Sequence, residues 1–216
     1  MMRAFIFANG KMEGRPPLIK DIHSSDLLIA VDGGSQLCKS LGFIPNLIIG
    51  DLDSLDQSDV TLYKQSGVKV IQHPTNKDET DLELALNITL QHEVTHVFIF
   101  GALGARWDMT FANVLLATLP RYSKLHVYIL DGLQELFIMR GDDRYEIEGR
   151  SGEVLSLIPL VGDTRGITTR GVLYPLTDET LYFGSPRGVS NKIIDTEAEI
   201  CVREGILLIY LSSEKK

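Results

Sequence analysis

The stretch that most constrains the fold of this chain is an apolar run at residues 46–49 that ends in Gly50-Asp51-Leu52-Asp53. A continuous apolar run is typical of a strand in a parallel sheet whose two faces are both covered. Ligands of such sheets bind beyond the carboxyl ends of the strands, and residues two apart in an extended chain point to the same side. The pattern therefore predicts that Asp51 and Asp53 face one point at a sheet edge.

Two converged carboxylates repel each other unless a positive group lies between them. A hard divalent cation such as magnesium is the natural candidate, and it commonly accompanies a phosphorylated substrate. A purely structural role for the pair is the alternative, because aspartates often form turns and cap helices after strands.

Strand and helix patterns alternate through residues 1–135, which predicts an α/β domain with a parallel sheet and helices on both faces. Apolar runs predict strands at residues 3–8, 27–31, 46–50, 68–72, 97–100 and 125–130. Helices are expected at residues 35–41, before Gly67, after Thr80 and through Asn113 to about Leu119. Because the strand ends of a parallel sheet share one edge, their polar residues become neighbours. These residues are Asp32, Asp51, Asp53, Lys77, Asp78, Asp81, Arg106 and Asp108.

A capping box begins the third of these helices. Thr80 is the expected cap and Glu83 follows three residues later. Asp81 then lies in the first turn, near the positive end of the helix dipole. Leu82, Ala85, Leu86 and Leu90 are expected to share one apolar face of this helix.

The pattern changes in residues 136–216, where short apolar or alternating runs are separated by Gly and Pro at close intervals. Runs at 144–147, 154–160, 166–169, 181–183, 197–202 and 206–211 predict strands without intervening helices. This spacing predicts a second domain, a β-sandwich or small barrel, over 136–216.

Composition narrows the class of partner. A net charge of −8 is a poor match for a nucleic-acid backbone. Apolar runs are shorter than a membrane span, and the apolar start of the chain is too short for a signal peptide. Two cysteines, Cys38 and Cys201, provide no disulfide framework. We therefore expect a cytoplasmic protein with small-molecule partners, without nucleic acid or membrane.

The common nucleotide-binding motifs, Gly-x-x-x-x-Gly-Lys-Ser/Thr and Gly-x-Gly-x-x-Gly, do not occur in the sequence. A phosphate site must then be built from acidic metal ligands, glycine-rich loops and a few bases. Lys77 offers a compact charge and Arg106 a planar fork that suits phosphate oxygens. Solvated surface charge is the alternative for both residues.

A second enzyme class also places Asp-x-Asp after an apolar strand, the haloacid dehalogenase-like phosphatases with an aspartyl nucleophile. Gly141-Asp142-Asp143 resembles their late acidic motif. Against this class, Gly50 precedes the first aspartate, Gly-Thr does not follow Asp53, and residues 141–143 are expected to form a turn between strands.

The order of several short motifs resembles the thiamine pyrophosphokinase family over nearly the whole chain. The acidic motifs are Gly50-Asp51-Leu52-Asp53-Ser54, Lys77-Asp78-Glu79-Thr80-Asp81, and residues Gly101 to Asp108 with Asn113. In the second half, Leu155 to Leu160, Gly171 to Leu176 and Gly188-Val189-Ser190-Asn191 resemble the family's thiamine-binding domain.

The resemblance implies transfer of a pyrophosphoryl group from ATP to the hydroxyl of thiamine, with release of AMP. It also implies Mg²⁺ as cofactor and a homodimer with active sites between subunits. By position in the family's motifs, the resemblance implies that Asp51, Asp53 and Asp81 hold the metal. Together with Asp78 and Asp108 they would be the catalytic acids. The resemblance likewise implies that ATP is bound by Lys77, Thr80, Arg106 and Asn113. Thiamine would be bound by Tyr174, Ser190 and Asn191.

The chain departs from the family pattern at three positions. Ala105 stands where a second Gly is common, Met109 where His is common, and Leu173 where Lys is frequent. These changes affect individual contacts rather than the reaction. A protein that binds thiamine or nucleotide without catalysis is a further alternative, although retained acid pairs carry a desolvation cost without a metal.

Overall fold

The computed structural model describes residues 2–104 and 106–213. The chain divides into two compact units, residues 1–132 and 133–216. The sequence pattern had suggested a change at 135/136. Among the described residues, no helix is both long and apolar enough to cross a membrane.

Unit 1 is an α/β unit with a six-stranded parallel sheet. The strand order is β6-β5-β1-β2-β3-β4, and every neighbouring pair is parallel. The strands are β1 Met2–Phe7, β2 Leu27–Val31, β3 Leu47–Gly50, β4 Lys69–Gln72, β5 Val94–Phe100 and β6 His126–Asp131. The helices are α1 Gly34–Ser40, α2 Gln57–Gln65, α3 Asp81–Gln91 and α4 Trp107–Leu116, with 3₁₀ helices at Pro17–Asp21 and Pro120–Tyr122. The predicted alternation is confirmed.

The core of unit 1 explains why its central strands have continuous apolar sequences. Residues 4–7 of β1 are fully buried, since helices cover both faces of a parallel sheet. Phe5, Phe7 and Phe100 pack with Ile19 and the thiol of Cys38 in one cluster. Cys38 therefore acts as a small buried hydrophobe.

The capping box predicted for α3 is confirmed, because the Thr80 side chain accepts a hydrogen bond from the Glu83 N–H at 3.2 Å. Leu82, Ala85 and Leu86 are buried, as expected for one apolar face. Leu90 was also expected on that face but is 40% exposed, because the buried stripe does not extend to the last turn.

Unit 2 consists of two antiparallel four-stranded sheets, as expected for the second half. One has the order β12-β9-β14-β7 and the other β11-β10-β13-β8. The strands are β7 Gln134–Arg140, β8 Arg144–Glu148, β9 Val154–Pro159, β10 Thr164–Arg170, β11 Glu179–Leu181, β12 Asn191–Lys192, β13 Glu197–Cys201 and β14 Ile206–Ser212. A 3₁₀ helix spans Pro186–Gly188. The expected turn at residues 141–143 joins β7 to β8, with Asp142 at φ 67°.

Candidate active site

A cavity of about 450 Å³ opens at the carboxyl ends of the strands of unit 1. Its wall contains four residues that the sequence singled out for function: Thr80, Asp81, Arg106 and Asn113. The other lining residues are Ala8, Asn9, Gly10, Val31, Asp32, Leu82, Gly101, Ala102, Leu103, Gly104, Met109 and Thr110. Its position agrees with the general rule that ligands of open parallel sheets bind beyond the strand ends.

Close backbone packing shapes the floor of this cavity. Gly10 donates its N–H to the carbonyl of Gly101 at 2.8 Å. A Cβ at Gly10 would lie 2.2 Å from that carbonyl oxygen, so a side chain there would force the two loops apart. The loops after β1 and β5 therefore meet backbone to backbone beneath the cavity.

Three carboxylates interact at this edge: Asp32, Asp51 and Asp81. Burial, together with the negative charges of Asp81 and, more weakly, Asp51, raises the pKa of Asp32 to about 6. A hydrogen bond from the Leu52 N–H acts in the opposite direction, because it favours the anion. The sequence places Asp32 at a strand end but does not by itself assign it to the site. The signal that could have identified it is Asp32-Gly33-Gly34 directly after a buried strand.

The loop after β3 departs from the extended conformation assumed from sequence. Leu52 adopts the left-handed conformation with φ 66°, so the strand rule for residues two apart does not apply to Asp51 and Asp53. The Asp53 N–H donates to Asp51 Oδ1 at 3.1 Å, while Asp53 itself is exposed. Of the pair, Asp51 is half-buried and its charge acts on Asp32.

The second acidic motif supplies a cation to this cluster. Lys77 Nζ lies 2.8 Å from Asp81 Oδ1, and both side chains are largely buried, at 13% and 22% exposure. The same ammonium donates to the Pro74 carbonyl at 3.2 Å. Asp78 is exposed. Lys77 and Asp81 thus form a half-desolvated ion pair at the start of α3.

The third motif is partly on the cavity wall and partly in solvent. Arg106 Nε donates to Asp108 Oδ1 at 3.2 Å, and this hydrogen bond, with the Met109 N–H, lowers the pKa of Asp108. Asn113 is buried and donates from Nδ2 to the Ala102 carbonyl at 2.8 Å, which holds the loop after β5 in place. Ala105 lies outside the described residues.

The three residues assigned to thiamine lie together in unit 2. The Leu173 N–H donates to the Lys192 carbonyl at 2.8 Å, so the segment with Tyr174 runs beside β12, which contains Asn191. Ser190 precedes β12 in the left-handed conformation, φ 63°, and its N–H donates to Ser156 Oγ at 3.1 Å. Tyr174 is 66% exposed and presents its ring to solvent.

A magnesium ion is compatible with the donor set of unit 1, although the side chains do not form a complete cage. Within residues 2–104 and 106–213, no group of three or more His, Cys, Asp or Glu side chains could hold a metal ion by itself. Magnesium in phosphate-transfer sites usually takes one or two carboxylates and completes its shell with water and substrate phosphates. The carboxylates of Asp32 and Asp81 on the cavity wall provide ligands of that kind, and the charge of Asp51 acts on the same cluster.

The fold and this acidic cavity define a class, α/β proteins with a ligand cavity beyond the carboxyl ends of a parallel sheet. Comparison with known families is more specific. Residues 19–129 match the family model "Thiamin pyrophosphokinase, catalytic domain", and residues 144–207 match "Thiamin pyrophosphokinase, vitamin B1 binding domain". The chain belongs to the thiamin pyrophosphokinase family.

Individual members of this family align with nearly the whole chain. The thiamine pyrophosphokinase of Bacillus subtilis is 28% identical over 210 residues, covering 97% of this chain and 98% of the relative. The crystal structure of the Bacillus subtilis enzyme superimposes with a TM-score of 0.87 at 26% identity, covering 100% of both chains. That of Geobacillus thermodenitrificans thiamin pyrophosphokinase gives 0.84 at 28% identity, covering 100% of this chain and 99% of the other.

Proposed function

We propose that this chain is a thiamine pyrophosphokinase, which transfers a pyrophosphoryl group from ATP to the hydroxyl of thiamine. The observation that carries this proposal is a cavity whose wall contains the carboxylates of Asp32 and Asp81, with the charge of Asp51 acting on Asp32. This cavity lies within the match to the family's catalytic domain. The thiamine hydroxyl oxygen bonds to the β-phosphorus of ATP, and the bond from that phosphorus to the α-phosphate oxygen breaks. AMP and thiamine diphosphate are the products.

The chain's own contribution to this transfer is position and charge, since phosphoryl-type transfer needs little covalent chemistry from the protein. Lys77 and Arg106 are proposed to hold the phosphates of ATP, with the Thr80 hydroxyl and Asn113 on the same cavity wall. Asp51, Asp53 and Asp81 are proposed to hold Mg²⁺, with Asp32 beside them. When bound, Mg²⁺ neutralises charge that develops on the phosphate oxygens.

The roles of the two outer acids differ. The ion pair with Arg106 lowers the pKa of Asp108, which makes Asp108 a weak base and suits it to orienting the Arg106 guanidinium. Asp78 is exposed, is not assigned to the metal and is not paired with Arg106, and it is therefore the proposed acceptor of the hydroxyl proton among the five acids assigned from the family pattern.

Unit 2 is proposed to bind thiamine through the surface that contains Tyr174, Ser190 and Asn191. Thiamine has an aromatic pyrimidine and a cationic thiazolium, and an exposed aromatic ring can contact either group. The match of residues 144–207 to a vitamin B1 binding domain supports this assignment.

A homodimer with active sites between subunits is proposed from the family resemblance. An exposed apolar stripe on α4 supports it, because Trp107, Phe111 and Leu115 follow one another at intervals of four residues and are 76%, 63% and 45% exposed. Sedimentation of Phe111→Glu tests this surface, with Leu62→Glu, 57% exposed on α2, as the control. A dimer that persists in Phe111→Glu would exclude the stripe as the interface.

The cytoplasm is the proposed location. Cys38 and Cys201 are both free thiols, and unpaired cysteines suit a reducing compartment.

The deciding experiment is incubation of the protein with thiamine, ATP and MgCl₂, followed by chromatography of the products. Thiamine diphosphate and AMP in equal amounts are expected, and neither should form without thiamine. Free phosphate without AMP would favour the aspartyl-nucleophile phosphatase. Thiamine binding by calorimetry without any product would favour a binding protein.

A further inference from the structure

Leu52 occupies an unusual place between the two aspartates of the first acidic motif. Its φ of 66° lies in the left-handed region, which is unfavourable for a residue with a Cβ and is normally left to Gly or Asn. A branched apolar side chain at such a position indicates that the surrounding structure holds it there.

The Leu52 side chain is the anchor of this conformation. It is only 8% exposed and packs in a cluster with Ala30, Ile48 and Val68. Removal of its apolar surface from water offsets the unfavourable backbone conformation. A glycine would adopt the same φ without strain, but it would leave the loop without this attachment to the core.

The backbone of Leu52 connects the anchor to the acids. Its N–H donates to Asp32 Oδ1 at 3.3 Å, and its carbonyl accepts the Leu55 N–H at 3.0 Å. On either side of Leu52, the Asp53 N–H donates to the Asp51 carboxylate. The left-handed turn at Leu52 therefore places its own N–H against the Asp32 carboxylate and the following N–H, that of Asp53, against the Asp51 carboxylate.

Gly50 makes the approach of the two loops possible. A Cβ at Gly50 would lie 1.6 Å from Asp32 Oδ1, so the loop after β3 can reach Asp32 only because position 50 has no side chain. Strand β3 thus ends in Gly50, which leaves room for Asp32, and two residues later Leu52 donates a hydrogen bond to Asp32.

We propose that Leu52 is a positioning residue for the divalent-cation site, acting through Asp51, Asp53 and Asp32 without contacting substrate. This inference rests on the proposed function, since it assumes that these acids hold Mg²⁺. Its prediction is that shortening Leu52 loosens the acids and raises the Mg²⁺ requirement, beyond any loss of stability.

The test compares Leu52→Ala with Val68→Ala, which removes apolar atoms from the same cluster but lies outside the acidic loop. Both variants should lower the melting temperature. Leu52→Ala should raise the Mg²⁺ concentration for half-maximal rate by about 10-fold or more, as supporting residues of metal sites typically do, while Val68→Ala leaves it unchanged. Leu52→Met, which keeps most of the apolar volume, should restore a requirement close to that of the wild type.

A binding measurement separates position from turnover. The rise in melting temperature on adding Mg²⁺ with AMP reports binding to the native state, and it should be reduced in Leu52→Ala and retained in Val68→Ala. Equal Mg²⁺ responses in both variants would overturn the positioning role. A wild-type protein that makes no thiamine diphosphate would instead refute the proposed function. Formation of thiamine diphosphate without any divalent cation would refute both the assignment of the acids to Mg²⁺ and the positioning role of Leu52.

Discussion

The Asn191 carboxamide holds both backbone groups of Tyr174. Its Oδ1 accepts the Tyr174 N–H at 3.0 Å, and its Nδ2 donates to the Tyr174 carbonyl at 2.8 Å. The same Oδ1 also accepts the Lys192 N–H at 2.8 Å. Its carboxamide is engaged in these bonds, so Asn191 fixes the segment that presents the Tyr174 ring, and any contribution to the proposed thiamine surface would come through that segment.

Replacement of Tyr174 tests the thiamine surface directly. Tyr174→Ala should raise the KM for thiamine by about 2- to 30-fold, the range of one cation–π or stacking contact, with the KM for ATP nearly unchanged. Steady-state kinetics in both substrates provide the measurement. Tyr174→Phe keeps the ring and should behave like the wild type. If both KM values rose together in Tyr174→Ala, the tyrosine would belong to the packing of unit 2.

Asn191→Ala should affect the same parameter by an indirect route. Loss of its hydrogen bonds leaves the backbone of Tyr174 without partners, at a cost of about 1–3 kcal/mol in the free energy of unfolding. The KM for thiamine should rise, and adding Asn191→Ala to Tyr174→Ala should raise it little further, because coupled residues are not additive. Fully additive effects in the double-mutant cycle would mean that Asn191 acts on thiamine independently of Tyr174.

Asp53→Asn and Asp51→Asn should each lower kcat by at least about 100-fold, as expected for loss of charge at a metal-dependent site. The fold should survive, as seen by circular dichroism. Asp56→Asn, an exposed acid of the same loop, is the matched control and should keep its activity. Near-normal turnover of Asp53→Asn at ordinary Mg²⁺ would remove it from the site and leave the metal to Asp51 and Asp81, with Asp32.

Asp81→Asn distinguishes a helix-dipole role from a catalytic role. An acid that only complements the dipole of α3 contributes at most about 1 kcal/mol to stability and nothing to turnover. If Asp81 is a metal ligand and the partner of Lys77, the Asp81→Asn variant should instead lose most of its activity with little change in melting temperature. Measuring both quantities on one variant decides between the roles, since normal kinetics with a lower melting temperature would leave only the dipole.

Local rules predicted most of the secondary-structure elements of this fold. The Thr80 cap, strand β2 and the helix stop before Gly67 follow from patterns of a few residues, and such patterns are visible in one sequence. The acid cluster was predicted only in outline. The contact of Asp32 with Asp81 depends on how α3 lies against the neighbouring strands, which no local pattern specifies.

Other features depended on tertiary packing. The left-handed conformation of Leu52 is stabilised by a cluster whose members come from β2, β3 and the residue before β4, so its own propensity would not indicate it. Strand β7, Gln134–Arg140, is not among the predicted strands, because its apolar run Leu136 to Met139 is too short to distinguish strand from helix. Pairing with β14 forms the strand. Asn191 has the sequence pattern of a loop residue, because the strand that contains it, β12, is only two residues long.

The last prediction concerns stability away from the active site, at the ion pair of Arg3 and Asp26. Arg3 Nε and Nη2 donate to the two Asp26 oxygens at 2.9 and 2.6 Å, and the His23 N–H donates at 2.8 Å. Burial by itself would raise the pKa of Asp26, but the Arg3 and His23 hydrogen bonds and the Arg3 charge outweigh it and hold the pKa below its ordinary value near 3.8.

A carboxyl group whose pKa is lower in the folded state adds stability above its unfolded pKa, and that stability is lost as pH falls through the folded pKa. Asp26→Asn should therefore lower the free energy of unfolding by about 1–3 kcal/mol near pH 7. The difference from the wild type should begin to shrink below about pH 4, where the carboxyl group of the unfolded chain becomes protonated, and should disappear as pH falls through the lower pKa of the folded state. Urea unfolding at a series of pH values measures this difference in the free energy of unfolding. Asp21→Asn, an exposed acid near the same arginine, should change stability by less than about 0.5 kcal/mol. A difference for Asp26→Asn that stayed constant down to pH 3 would show that shape, rather than charge, stabilises this contact.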